Sequence, residues 1–286
     1  MANIQALRRR IRSINGTTKI VRAMEMVATA KMKRTQQRAL AGRPYTEKIR
    51  QVIADLAIEP SIKGKIPPLL QKRDVKKIAI VHMGTDRGLC GGLNTNLNRL
   101  VAEFVLQEKV QVTLVTVGRK ARAFARTARL NVRAEFGGMS DRAAMLETMP
   151  LSRVLIDDYS NGEADLIFLA YPLFVSTMLQ KPTIEKLLPI EPATLPPGQV
   201  AEYIYEPDPF SVLNELLPRF VEMQVYHAVL ELVASEQSAR MVAMRNAGDN
   251  AEDLIKDLTL SLNKARQEII TKEICDISGG AEALTA

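Results

Sequence analysis

Apolar residues near the start of the chain recur at helical spacing. Ile4, Leu7, Ile11, Ile14 and Val21 fall on a three-to-four rhythm, joined by Met24, Val27 and Ala28. Near the end, Ala251, Leu254, Leu258, Leu262, Ala265 and Ile269 keep the same rhythm, continued by Ile274 and Ile277. A single narrow stripe flanked by charge is the pattern of a coiled-coil seam, not of a helix buried all round. Thr18 and Glu25 fall where a strict heptad from Ile4 wants apolar groups. Apart from Pro44, every proline lies from Pro60 to Pro218, and the last 68 residues hold none. Proline in a helix interior costs ~3 kcal/mol or more, so both ends are free to be long helices. The spacing predicts one helix over 3–57 and another over 209–284, spanning roughly 80 and 110 Å at ~1.5 Å per residue. Helices of that length need a partner along their length, and each is the obvious partner of the other. Because they differ by about twenty residues, one end is expected to project alone by roughly 30 Å.

The middle of the chain has a different period. Residues 77–83 (KIAIVHM), 110–117 (VQVTLVTV), 131–136 and 165–171 (DLIFLAY) are short, apolar and rich in β-branched side chains. Helical stretches lie between them at 93–107, 119–127 and 140–160. Strands alternating with helices imply βαβ units and a mostly parallel sheet. Residues 110–117 and 165–171 are close to continuous apolar runs, as strands buried on both faces should be. Residues 189–209, with six prolines, read as a connector. The expected fold class is therefore α/β. It comprises an N-terminal coiled-coil helix (1–59), a central Rossmann-like, mostly parallel domain (74–190) and a C-terminal helix (209–286) pairing with the first.

Charge sharpens this division. Of the 286 residues, 39 are Lys or Arg and 32 are Asp or Glu, a net of +7. Residues 1–50 hold thirteen basic groups against two Glu, a net of +11; residues 208–286 hold seven basic against thirteen acidic, a net of −6. A basic helix beside an acidic one is electrostatically sensible, although exposed pairs are worth only ~0–1 kcal/mol each. Three readings of the basic head stand side by side: a mitochondrial transit peptide, a nucleic-acid-binding face built on residues 8–10 with Lys31, Lys33 and Arg34, and a helix facing an acidic protein partner. Against the first, the periodicity runs on past Met32 with no small-residue break. Against the second, the aromatic platforms of single-strand binders are missing. No apolar run reaches the ~18 residues of a membrane helix. Two cysteines, Cys90 and Cys275, make no disulfide framework and fit a reducing compartment.

Candidate chemistry is sparse. The Gly-rich run 83–96 (MGTDRGLCGGLNTN) sits after a strand and before a helix, where phosphate loops occur. It has neither the Lys-Ser/Thr of a P-loop nor the dinucleotide fingerprint, so it reads as a tight crossover. Cys90 with His82 could form a nucleophile and base, but a lone Cys is more often a small buried hydrophobe. His227 with Glu231 is too few for a metal site. No catalytic, cofactor-binding or metal-ligating residues are assigned.

Longer blocks carry a resemblance. The run 270–283 (ITKEICDISGGAEA) and the run 13–34 (SINGTTKIVRAMEMVATAKMKR) resemble the two hallmarks of the γ-subunit family of rotary F-type ATP synthases. Residues 85–94 (TDRGLCGGLN), 205–209 (YEPDP), 235–251 (SEQSARMVAMRNAGDNA) and 262–273 (LNKARQEIITKE) are similar as well, so the resemblance covers essentially the whole chain. It implies a non-catalytic central shaft: a coiled coil of both termini inside a ring of three α and three β subunits, with the α/β domain outside, near the ε subunit and the c-ring. Mg-ATP and ADP would be bound by the partner subunits and no cofactor by this chain. By resemblance, Met24, Arg240, Arg266, Gln267, Thr271 and Glu273 face the moving parts of the β subunits. Tyr205, Glu206 and Asp208 match the foot near ε and the c-ring. Such a subunit would sit peripherally on the cytoplasmic face of a bacterial plasma membrane.

The residues add a division of labour at the tip. Ile269, Ile270, Ile274, Ile277, Ala281 and Leu284 are apolar or small. Apolar contact is non-directional, so it bears load without pinning one angle, while Arg266 and Gln267 can act as an ionic catch. Several positions depart from the family pattern. Gly16 and Thr18 replace the usual Asn and Gln, residues 171–174 (YPLF) replace Tyr-Asn-Lys-Phe, and Cys275 stands beside Asp276. These changes leave the polar role of that strand end without its usual residues.

Overall fold

The computed structural model describes residues 2–58, 66–139, 144–191 and 205–285. Helix α1 (Ala2–Ile58) and helix α5 (Pro209–Thr285) match the two expected long helices to within two residues at each end. Each passes through one proline, Pro44 and Pro218. The chain divides into two compact units: residues 1–28 with 241–286, and residues 29–240. Each long helix therefore contributes to both.

The first unit is a pair of helices. Its seam on α1 runs through Ile4, Leu7, Ile11, Ile14, Thr18, Val21, Glu25 and Ala28, all buried or half-buried in steps of three and four. On α5 it runs through Met244, Gly248, Ala251, Ile255, Leu258, Leu262, Ala265 and Ile269. The seam departs from the expected stripe at two places. Leu254 is 41% exposed and Ile255 takes its position, because alternating steps of four and three from Ala251 land on 255 and 258. Val27 is likewise exposed, and Ala28 carries the seam. Arg22 bonds Asp249 at 2.8 Å and Glu252 at 3.0 Å, while Arg245 bonds Glu25 at 2.9 Å, so the helices run antiparallel. This register sets Ala2 level with about residue 270. The rest of α5 continues past the end of its partner, and the side chains of residues 271–281 are all exposed.

The second unit is an α/β domain with a five-stranded sheet. In chain order the strands are β1 (Lys77–Met83), β2 (Gln111–Val117), β3 (Val132–Phe136), β4 (Leu166–Phe174) and β5 (Gln180–Leu188). They stand in the order β3-β2-β1-β4-β5, parallel except for β5. Helices α2 (Leu93–Gln107), α3 (Arg119–Thr127) and α4 (Met145–Ser160) make the crossovers; residues 140–143 of the expected third helix lie outside the described set. Alternation along β1 sends Ile78 and Ile80 to one core, with Leu97, Val101 and Ala125. Ala79, Val81 and Met83 go to the other, with Leu151 and Leu155 of α4, Ile49 and Ile53 of α1, and residues 213–233 of α5. Strand β5 was not expected. Its sequence, QKPTIEKLL, mixes charge and Pro182, which suits an antiparallel edge strand with one open face.

Candidate functional site

The Gly-rich segment after β1 is packed as a crossover. A Cβ on Gly84 would lie 2.7 Å from the Ala121 nitrogen, and one on Gly118 would lie 2.1 Å from the Gly84 carbonyl oxygen. These glycines let the ends of β1 and β2 and the start of α3 approach each other. Asp86 accepts the Arg119 amide at 3.0 Å and the Gly138 amide at 3.2 Å, closing the turn at the α3 N-terminus. Both of its carboxylate oxygens thus accept backbone amides.

His82 and Cys90 are not assembled into a catalytic pair. His82 is buried in β1, with its ring edge-on to Phe124 at a centroid distance of 5.4 Å. Burial lowers its pKa to about 4, partly opposed by the Asn98 side chain. Cys90 is held by Asn94, whose amide donates to Sγ at 3.3 Å, and burial pushes the thiol above its ordinary value. A protonated, enclosed thiol is a poor nucleophile. Among the described residues no group of three His, Cys, Asp or Glu side chains could hold a metal ion. A cavity of about 550 Å³ at the amino ends of β1–β3 is lined by Lys77, Thr113, Arg133, Asp158 and Glu163. Its charges meet one another, Arg133 with Asp158 at 3.2 Å and Lys77 with Glu163 at 3.4 Å.

The residues implied by resemblance fall into distinct settings. In the two-helix unit, Met24 is half-buried, while Arg266, Gln267, Thr271 and Glu273 are exposed along α5. At 3.6 residues per turn, Gln267, Thr271 and Ile274 share one face, and Arg266, Ile270, Glu273 and Ile277 an adjacent one. Ile269 is half-buried in the seam and Ala281 is exposed. Exposure rises along the apolar ridge, from 44% at Ile270 to 60% at Ile274 and 73% at Ile277, as the partner helix ends. The Leu284 side chain lies outside the described residues.

Arg240 behaves otherwise. It belongs to the α/β unit, is 8% exposed, and bonds Glu236 at 2.6 Å and the Gly88 carbonyl at 3.2 Å. Within the chain it is an internal clasp between α5 and the Gly-rich loop. Other α5 side chains grip the sheet in the same way. Ser235 donates to the Pro172 carbonyl at 2.8 Å and Ser238 to the Thr177 carbonyl at 2.8 Å, while Glu231 accepts the Phe174 amide at 2.9 Å. These contacts were not anticipated. No sequence signal marked them, since the run 235–240 (SEQSAR) is polar in type and only the fold shows all six residues buried.

The foot residues serve the start of α5. Asp208 caps it, accepting the Ser211 amide at 3.0 Å and the Ser211 hydroxyl at 2.7 Å, with Pro209 as the first helical residue. Tyr205 packs half-buried against the core, and Glu206 is exposed.

Comparison with known proteins covers the whole chain. A family model described as ATP synthase matches residues 3–284. The ATP synthase gamma chain of Dehalococcoides mccartyi is 58% identical over 284 residues, spanning 99% of this chain and 100% of that one. The ATP synthase gamma chain of Acidithiobacillus ferrooxidans is 46% identical over 291 residues, spanning 99% and 100%. Among solved structures, a chain of the Euglena gracilis mitochondrial ATP synthase, from its OSCP/F1/c-ring assembly in rotational state 3, superposes with a TM-score of 0.70. It shares 20% identity and is covered over 95% of its length by 99% of this chain, a likeness of fold.

Proposed function

The chain belongs to the ATP synthase family as a gamma chain, and from that premise we propose that it is the rotor shaft coupling proton flow to ATP synthesis or hydrolysis. It is a non-catalytic subunit of a rotary enzyme complex. Its partners are the α and β subunits of the catalytic hexamer, the ε subunit and the c-ring, and the nucleotides and Mg²⁺ stay with those partners. No helix among the described residues is long and apolar enough to cross a membrane, in keeping with a peripheral place. We assign that place to the cytoplasmic face of a bacterial plasma membrane. The nucleic-acid reading of the basic head has no support in the family.

One observation carries the proposal. Helix α5 outruns its antiparallel partner, and its free end bears an exposed apolar ridge at Ile270, Ile274 and Ile277. A lone apolar helix end needs a sleeve, and non-directional contact lets a sleeve hold it at any angle. Thr271 and Glu273, with Arg266 and Gln267 just below, supply the directional contacts that favour particular angles. Met24 joins them from α1, and Arg240 acts from inside its own unit by fixing the loop beside it. The foot, Tyr205, Glu206 and Asp208, meets ε and the c-ring.

The test is assembly followed by rotation. The chain, co-expressed with the α, β and ε subunits of its own source, should co-purify as a complex with ATPase activity. A bead attached at the foot should then turn in one direction on ATP addition. Failure to assemble, or an assembled complex that hydrolyses ATP with a stationary bead, would overturn the reading.

A further inference from the structure

Of the seam positions that lack a large apolar group, one on each helix lies beside the same cluster of charges. Glu25 stands on α1 and Gly248 on α5. Between them lies Arg22. Its guanidinium bonds Asp249 at 2.8 Å, Glu252 at 3.0 Å and Glu25 at 3.2 Å. Glu25 is closed from the other side by Arg245 at 2.9 Å, and its side chain is only 14% exposed. The three carboxylates, Glu252 first, hold Arg22 charged above its ordinary range. A Cβ placed on Gly248 would lie 3.1 Å from both Cζ and Nε of Arg22 and 3.5 Å from its Cδ. The glycine is the seat on which the planar head of Arg22 rests. A Cβ there requires that head, held by three acceptors, to shift by a few tenths of an ångström.

We propose that the five-residue charge layer Arg22–Glu25–Arg245–Asp249–Glu252, seated on Gly248, is a register key that fixes the axial and angular position of the two shaft helices against each other. The remaining seam cannot do this alone. Much of it is Ile and Leu in steps of three and four, interrupted by Thr18 and Ala28 on α1 and by Ala251 and Ala265 on α5, so a slip of one heptad still sets apolar or small groups opposite one another. Among the described residues no other seam position is charged, and the layer disfavours either slip. Moved seven residues one way, Glu25 meets Glu252 and Arg22 meets Lys256; moved the other way, Arg22 meets Arg245. A polar layer specifying coiled-coil register at some expense of stability is a known device. Guanidinium geometry suits it, because a rigid planar fork fixes the directions of its bonds, whereas an ammonium is a compact charge whose donors rotate. The key is a property of the chain alone and stands whether or not the shaft turns.

Two measurements on the full-length chain test it. The first is a Gly248→Ala substitution in two backgrounds, read by amide hydrogen exchange over 18–28 and 241–252. Ala is the better helix former, so an indifferent site would gain protection. With Arg22 present, Gly248→Ala should instead speed exchange severalfold. In an Arg22→Ala background it should slow exchange by roughly two- to five-fold, the ordinary advantage of Ala over Gly. The same sign in both backgrounds would overturn the seat. The second is pulsed dipolar spectroscopy between spin labels at Asn15→Cys and Lys256→Cys in a Cys275→Ser chain. One narrow distance should broaden or split on Arg22→Ala, and an unchanged distribution would overturn the key. Should Arg22→Ala fail to fold, Arg22→Lys supports the same two readings, since it keeps the charge and loses the fork.

Discussion

Replacing Arg240 by Met would strand the Glu236 carboxylate in a site where the two side chains are only 9% and 2% exposed. Removing one partner of a buried ion pair costs ~3–5 kcal/mol, because the remaining charge keeps its desolvation penalty and loses its compensation. The contact with the Gly88 carbonyl goes too, so about 4 kcal/mol is the expected loss. With a urea dependence near 3 kcal/mol per molar, at the upper end for small proteins, the midpoint should fall by roughly 1–1.5 M. Near-UV circular dichroism is the right probe: all six Tyr and seven Phe lie within residues 29–240, the chain has no Trp, and the signal reports the α/β unit alone. The companion variant is Glu236→Leu with Arg240→Met. Deleting both charges leaves an apolar contact of similar volume, which is often neutral or better, so the double variant should return to within ~1 kcal/mol of the parent. A fall of less than ~0.3 M for Arg240→Met, or a double variant no better than the single, would refute the clasp.

Other outcomes follow from the same geometry. His82 is folded in its neutral form, so its contribution is complete above the unfolded value of 6.5 and is lost as pH falls towards about 4. That amounts to about 3 kcal/mol. Urea midpoints at pH 7 and 4.5 should diverge in the parent and converge in His82→Leu. Ser235→Ala removes a buried 2.8 Å bond to the Pro172 carbonyl and should cost about 1–3 kcal/mol in the same near-UV titration. Ile274→Ser and Ile277→Ser alter exposed positions and should leave the isolated chain within ~0.5 kcal/mol of the parent. The assembled complex, by contrast, should lose coupling between ATP hydrolysis and rotation. Arg266→Ala with Gln267→Ala should shorten the pauses of ATP-driven rotation in a single-molecule assay, and unchanged pauses would remove the catch from those two residues.

The long helices were legible because their evidence is cumulative. A three-to-four rhythm repeated over many turns, with proline almost excluded, outweighs any single misplaced residue. Strands β1, β2 and β4 were legible for a related reason, since a strand buried on both faces must be apolar nearly throughout. Strand β5 was not, because its open face and edge position admit Lys, Glu and Pro, and its few apolar residues set no period. The substitution of Ile255 for Leu254 in the seam was equally out of reach. Either residue continues an apolar stripe, and only the partner helix selects one.

What the sequence determined by itself was the pair of long terminal helices, the alternation of strands and helices between them, and the family. Each of these follows from residue type and spacing, which are properties of one chain read in order. What tertiary structure alone decided was which polar residues are internal. Arg240, Ser235 and Ser238 are buried and bonded to neighbouring carbonyl groups and Glu236. Glu25 reads as a flaw in a heptad, and the fold closes it with Arg22 beside it and Arg245 across the seam. A charge declares its sign in the sequence, but its meaning depends on what lies within about 4 Å of it, and distant stretches of chain meet only in the fold.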